Sequence, residues 1–163
     1  MSTEKVVVES TQLLPFLKWA GGKRWLASGH TDLFPDEYNR YFEPFLGSAA
    51  VFFRLQPTNA SLSDTNSELI ETYQALKDDH LLVRRYLAEH NRQHDEKYYY
   101  QIRSCEPRSK YTRAARFIYL NRTCWNALYR VNLNGQFNVP KGTKDSVLLP
   151  TDNFAEVSRK LQN

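Results

Sequence analysis

The sequence predicts an α/β fold in which strand-to-helix turns build a sheet and a basic, aromatic-rich segment builds an inserted lobe. Three observations carry this. Tyr41 to Phe53 passes from apolar and aromatic residues through Glu43, Pro44 and Gly47 into small and apolar residues, the order expected of strand, tight turn and helix. Ala60 to Asp64 reads as a second short strand, and Glu68 to Leu76 then sets Leu69, Ile70, Tyr73 and Leu76 on one helical face. Between Lys97 and Lys144, ten basic residues meet one acid, Glu106, so that segment carries +9 against −5 for the remainder.

With 163 residues, 41% hydrophobic and 25% charged, the chain has the size and composition of one compact domain, or one domain with an inserted lobe, around a real core. The valine run Val6 to Val8 is too short for a signal sequence, and no stretch of eighteen apolar residues occurs. The expectation is a cytoplasmic protein with no membrane partner. Cys105 and Cys124 stand apart from each other and from histidine at ligand spacing, which predicts reduced structural thiols rather than a disulfide or a zinc site.

In chain order, Leu14 to Trp25 is an apolar run broken by Gly21-Gly22 and followed by a basic, helix-compatible stretch. Gly22-Lys23 is not a phosphate loop, because Leu17 and Arg24 stand where that motif needs glycine and a hydroxyl residue. Lys18, Trp19 and Lys23 nevertheless offer cations and an aromatic face to a ligand. The strand ending at Glu43 offers a carboxylate for a hydroxyl or ammonium, and Gly47 admits close backbone approach. Asp64 has two readings. It is either the Asx-turn or N-cap residue of the next helix, or the acid that α/β folds place about 20 residues downstream to hold ribose hydroxyls. A calcium loop from Asp64 fails, since its sixth and twelfth positions are Leu69 and Ala75.

Leu81 to Glu89 continues as amphipathic helix, with His80, His90 and His94 read as surface groups. Arg113 to Asn121 is helical, with Ala114, Phe117, Ile118 and Leu120 on its apolar side. Asn134-Gly135, between Val131 to Leu133 and Gln136 to Val139, predicts a β-hairpin with both turn residues at positive φ. Asn126, Arg130, Asn132 and Asn138 have side chains suited to base edges, and Trp125 to base stacking; the competing reading gives these asparagines to turns. Basic charge interleaved with nine aromatics is the footprint of a nucleic-acid surface, against the alternative of a solvated basic face over core aromatics. Thr151 to Asn163 is helical again.

Three ordered segments, Phe16 to Lys23, Phe42 to Ser48 and Leu62 to Ile70, resemble the opening motifs of the Dam-type (D12 class) DNA adenine-N6 methyltransferases. Tyr119 to Arg122, continuing through Trp125 to Arg130 and Gly135 to Pro140, resembles that family's target-recognition hairpin. The resemblance implies a Rossmann-like S-adenosylmethionine-dependent methyltransferase sheet, here incomplete, with an inserted helical and β-hairpin DNA-recognition lobe. The implied divisions are 1–70 for the first part of the α/β domain, 71–142 for the lobe and 143–163 for the return. By position, Trp19, Lys23, Glu43, Phe45, Gly47 and Asp64 would hold S-adenosylmethionine, Lys23 towards its carboxylate and Asp64 at the ribose. Lys18, Trp125, Asn126, Leu128, Arg130, Asn132 and Asn138 would meet duplex DNA, with GATC a candidate sequence and Arg130 its guanine contact.

Two departures stand out. Ala49 replaces a glycine common in the family, so its methyl is expected to crowd the cofactor. No two prolines adjoin, so the family's catalytic Asp-Pro-Pro-Tyr is absent. The expectation is an N-terminal portion, inactive alone, truncated or completed by a C-terminal half or second chain, with a sheet edge and an apolar face uncovered. The alternative is a non-catalytic DNA-binding module with a vestigial cofactor site. A small-molecule enzyme fits poorly with the +9 segment.

Overall fold

The computed structural model describes residues 13–162, so the valine run and Asn163 lie outside the described residues. It is a mixed helix and strand structure with a small parallel sheet. Strand β1, Tyr41–Glu43, pairs with β2, Ala60–Leu62, in the register Tyr41 with Ala60, Phe42 with Ser61 and Glu43 with Leu62. Helix α2, Ala50–Leu55, makes the crossover that a parallel pair requires, and α1, Arg24–Gly29, packs against it. Among the described residues β2 is the only strand partner of β1.

The turn into α2 is built from left-handed residues. Gly47 has φ +52, and Ala49, the residue before the helix, has φ +55. Left-handed backbone strains an L-residue by about 1–2 kcal/mol, which explains physically why a glycine suits position 49. The Ala49 methyl is buried in the core cluster and is not part of the lining of the adjoining cleft.

Helix α3, Ser67–Gln93, starts at Asn66, whose side chain accepts from Leu69 N–H. It is two helical stretches joined at Asp79, where the backbone leaves helical geometry (φ −154, ψ 84) and the side chain caps the second stretch through Leu82 N–H. Helix α4 is Glu96–Ser104, α5 is Lys110–Thr123 and α6 is Phe154–Leu161. Helix α3 packs chiefly on α5 and next on α6. A single buried cluster runs from Leu17, Leu46 and Phe52 through Leu69, Leu76, Val83 and Leu87 to Ile118, Leu120 and Phe154. The 70/71 division falls within α3.

Two expectations change. His90 and His94 are not surface groups: His90 in the last turn of α3 and His94 just after it face α4 and α5, with their Nδ1 atoms 2.8 Å from the Tyr98 and Tyr119 hydroxyls respectively. Burial, with the nearby Arg116 charge, pushes His90 down to about 4. The hairpin is also reduced. Its arms meet at one antiparallel bridge, Val131 with Phe137, and of the two turn residues only Gly135 has positive φ. The Asn132 side chain explains this, since its Oδ1 accepts from both Asn134 and Gln136 N–H and substitutes for the expected turn geometry. A second bridge, Cys124 with Lys141, closes the base of the segment, reinforced by Trp125 N–H donating to the Pro140 carbonyl.

Both cysteines are free. Cys124 is buried, which raises its thiol to about 11, and Cys105 is exposed. No helix among the described residues is long and apolar enough to cross a membrane. An open groove of about 550 Å³, with Leu13, Pro15, Phe16, Ala27 and Leu149 among its apolar lining, also carries Lys18, Arg24, Arg54 and Lys144.

Candidate cofactor and nucleic-acid site

The sequence-predicted cofactor residues converge. Trp19, Lys23, Phe45, Gly47 and Asp64 line one cleft of about 230 Å³, and Glu43 lies beneath it at the end of β1. Trp19 and Lys23 reach it through a tight turn, in which Gly22 N–H donates to the Trp19 carbonyl and Gly21 takes the positive φ required at the third position. Gly47 meets the Trp19 indole so closely that a β-carbon there would lie 3.0 Å from Cδ1.

Glu43 is 5% exposed. Its Oε2 accepts from the Tyr41 hydroxyl at 2.7 Å, and its Oε1 lies 3.5 Å from Lys23 Nζ but has no hydrogen-bond partner among the described residues. Lys23 instead donates to the Phe45 carbonyl at 2.5 Å. Burial raises the Glu43 carboxyl above the usual range, with Tyr41 and Lys23 opposing. A buried carboxylate oxygen with an ion-pair contact to Lys23 but no hydrogen bond has capacity for an incoming ammonium. Asp64 is engaged within the loop: Oδ2 accepts from Gly47 N–H at 2.9 Å and Oδ1 from Asn66 N–H at 3.0 Å, an Asx turn that ties the end of β2 to the glycine turn. Tyr73, buried in α3, donates to the Gly47 carbonyl from the other side. The glycine turn is thus fixed at both backbone groups.

The nucleic-acid candidates are arranged along the 124–141 segment. Trp125 and Leu128 are exposed, and Asn126 is exposed at φ +54. Arg130 is exposed and donates from Nε to Asn138 Oδ1 at 3.4 Å. Asn132 holds the turn, as the competing reading had it. Lys18 is held at its backbone by Asn121, which accepts from Lys18 N–H and donates to its carbonyl. The Lys18 amine is pushed down chiefly by the adjacent Lys144, with burial and Arg24 adding.

The basic excess is partly neutralised. Lys110 pairs with Asp78, Arg113 with Glu71, Arg122 with Asp152 and Lys141 with Asp145. Arg116 donates to the Ile102 and Arg103 carbonyls at the end of α4. Sequence reasoning missed Tyr41, Glu68, Tyr73, Asn121 and Tyr129 as builders of the site. A partner such as Asn121 for Lys18 is 103 positions away, and no local spacing signals it.

The family described as D12 class N6 adenine-specific DNA methyltransferase matches residues 19–163. The chain is 40% identical over 158 residues to the type II methyltransferase M1.LlaDCHI of Lactococcus lactis subsp. cremoris, covering 93% of this chain and 56% of that protein. It is 36% identical over 177 residues to the type II methyltransferase M.MjaIII of Methanocaldococcus jannaschii, covering 93% and 60%. A DNA adenine methylase of Serratia marcescens is 37% identical over 158 residues, covering 88% and 56%. The chain thus spans little more than half the length of these relatives.

Proposed function

Because this chain belongs to the D12 class of N6 adenine-specific DNA methyltransferases, we propose that it is the cofactor-holding and DNA-recognising portion of an enzyme that methylates adenine in duplex DNA. In this reading the parallel pair and its helices belong to a Rossmann-like methyltransferase sheet, and residues 71–142 form the recognition lobe. The observation that carries the reading is the Glu43 carboxylate, buried beside a cleft walled by Trp19, Lys23 and Gly47, with one oxygen in ion-pair contact with Lys23 but making no hydrogen bond.

The residues fit the methionine end of S-adenosylmethionine. Glu43 Oε1 would accept from the ammonium, Lys23 would exchange its Phe45 contact for the carboxylate, and the exposed Phe45 would cover the cleft. Asp64 would reach ribose hydroxyls only with part of its acceptor capacity, since Gly47 and Asn66 already use both oxygens. The bound cofactor supplies an electrophilic methyl group. On the DNA side, Trp125 would stack on or between bases, Asn126 and Leu128 would meet base edges, and Arg130 would contact guanine, with GATC the first sequence to test.

Adenine N6 is a poor nucleophile, so its amine must be aligned and hydrogen-bonded outside the helix. These 163 residues contain no Asp-Pro-Pro-Tyr for that task. Further sequence, on this or a second polypeptide, would complete the acceptor pocket.

The test is direct. S-adenosylhomocysteine should bind the 163-residue chain, a GATC duplex should bind in a salt-dependent manner, and labelled methyl transfer from S-adenosylmethionine should be absent. Robust transfer by this polypeptide alone overturns the division of labour. DNA binding with no cofactor binding favours a non-catalytic recognition module.

A further inference from the structure

The recognition segment does more than face DNA. Tyr129, between the exposed Leu128 and Arg130, turns inward and lies on Trp19, with ring centroids 5.8 Å apart and planes 21° from parallel. Phe117 of α5 completes the group, 6.0 Å from Trp19 and 4.4 Å from Tyr129, and Phe137 of the far hairpin arm follows at 4.9 Å from Tyr129. Offset aromatic pairs at these separations attract beyond their buried area. The Tyr129 hydroxyl donates to Glu68 in the first turn of α3, which fixes the ring at its other end.

These contacts close a circuit. Trp19 packs on Gly47, Gly47 donates to Asp64, Asp64 and Asn66 start α3, α3 presents Glu68, Glu68 holds Tyr129, and Tyr129 returns to Trp19. Tyr129 is the one member of this circuit that belongs to the recognition segment. Trp19 lines the cofactor cleft, so the tilt of its indole sets one wall of that cleft.

We propose that Tyr129 is a positioning residue for the cofactor cleft: the DNA-recognition segment, through this ring, holds Trp19 in the orientation that receives S-adenosylmethionine. The ligand identity rests on the proposed function; the positioning of Trp19 does not. Two consequences distinguish it from general packing. The planar ring matters more than the hydroxyl, and loss of the ring disturbs Trp19 before any ligand is added.

The experiment uses the 163-residue chain labelled with fluorotryptophan, its three resonances assigned by single Trp→Phe replacements. Fluorine NMR without ligand is followed by calorimetry with S-adenosylhomocysteine. Tyr129→Leu is expected to move the Trp19 resonance, leave that of Trp25 in place, and weaken binding by about 2- to 10-fold, the equivalent of one aromatic pair. Tyr129→Phe is expected to bind within about twofold of the parent, because the stack survives loss of the hydroxyl's hydrogen bond to Glu68.

An unmoved Trp19 resonance in Tyr129→Leu overturns the proposal, as does a moved resonance with parental affinity. Should Tyr129→Leu not fold, Tyr129→Met replaces it, removing the ring while its flexible side chain fills more of the space. The Trp19 resonance is again expected to shift, and a fixed resonance overturns the proposal. If the parent chain binds no S-adenosylhomocysteine, the functional reading fails while the ligand-free resonances still decide the role of Tyr129.

Discussion

Arg122 and Asp152 form a two-pronged ion pair, Nη2 to Oδ1 at 2.6 Å and Nη1 to Oδ2 at 2.7 Å, with side chains 5% and 7% exposed. Arg122 also donates to the Phe16 and Val147 carbonyls. One side chain of the basic segment therefore ties α5 to the segment before α1 and to the approach to α6. Breaking a buried pair from one side strands a charge, so Asp152→Ala is expected to destabilise the chain by about 3–5 kcal/mol. Arg122→Lys should also be damaging, because an ammonium cannot make the two parallel bonds to Asp152. Urea denaturation measures both, and a loss below about 1 kcal/mol contradicts the assignment.

Glu43 links stability to ligand binding in opposite senses. Its carboxyl is raised in the folded chain by burial, so the native state binds its proton more tightly than the unfolded state. This contribution favours folding at low pH and is lost as pH rises from the unfolded value through the folded one. Glu43→Gln should therefore remove that part of the pH dependence and hold or raise stability at neutral pH. The same variant should weaken S-adenosylhomocysteine binding by about 1.5–3 kcal/mol, the worth of a hydrogen bond to a charged group. Paired denaturation and calorimetry check both signs.

His90 makes the contrary pH contribution. Its folded value, lowered to about 4 from 6.5 chiefly by burial, means that the unfolded chain takes up the proton first. Stability from this residue is complete above pH 6.5 and declines as pH falls through 4, by about 3 kcal/mol in all. Thermal melts from pH 7 to 4 should show the loss, and His90→Gln should flatten it.

DNA binding should depend on salt less steeply than the basic count suggests. Four of the ten basic residues between Lys97 and Lys144 are paired within the fold. A duplex contacting all ten would give a log–log slope of about −9, whereas the remaining six, joined by Lys18, give about −6. Fluorescence anisotropy across a salt series measures the slope. Arg130→Ala should reduce its magnitude by less than Lys144→Ala if Arg130 reads a base and Lys144 a phosphate.

The β1–α2–β2 unit and the acids at its strand ends were legible because they are local: a strand, a glycine turn and a helix announce themselves within thirteen residues. The split of α3 was not legible, since Leu81 to Glu89 reads as a continuation of the helix that starts at Glu68, and nothing local marks Asp79 as the residue that leaves helical geometry. The hairpin was only half legible, because Asn132 gives its side chain to the turn where backbone pairing was expected. The histidines were misread because their apolar surroundings come from α5, not from neighbours in sequence. The Trp19 to Tyr129 contact spans 110 positions, and neither residue carries a sign of the other.

In the proposed reading, the bridge between Cys124 and Lys141 separates the residues that would read DNA from those that build the fold. Outside it lie the helices of the core; inside it, Trp125 to Pro140 is a closed loop whose exposed side chains bear little of the packing. Such a loop can exchange its outward residues and so acquire a new vocabulary of target sequences without renegotiating the scaffold. The proposed role of Tyr129 would limit that freedom: each exchange would have to keep the ring that packs on Trp19.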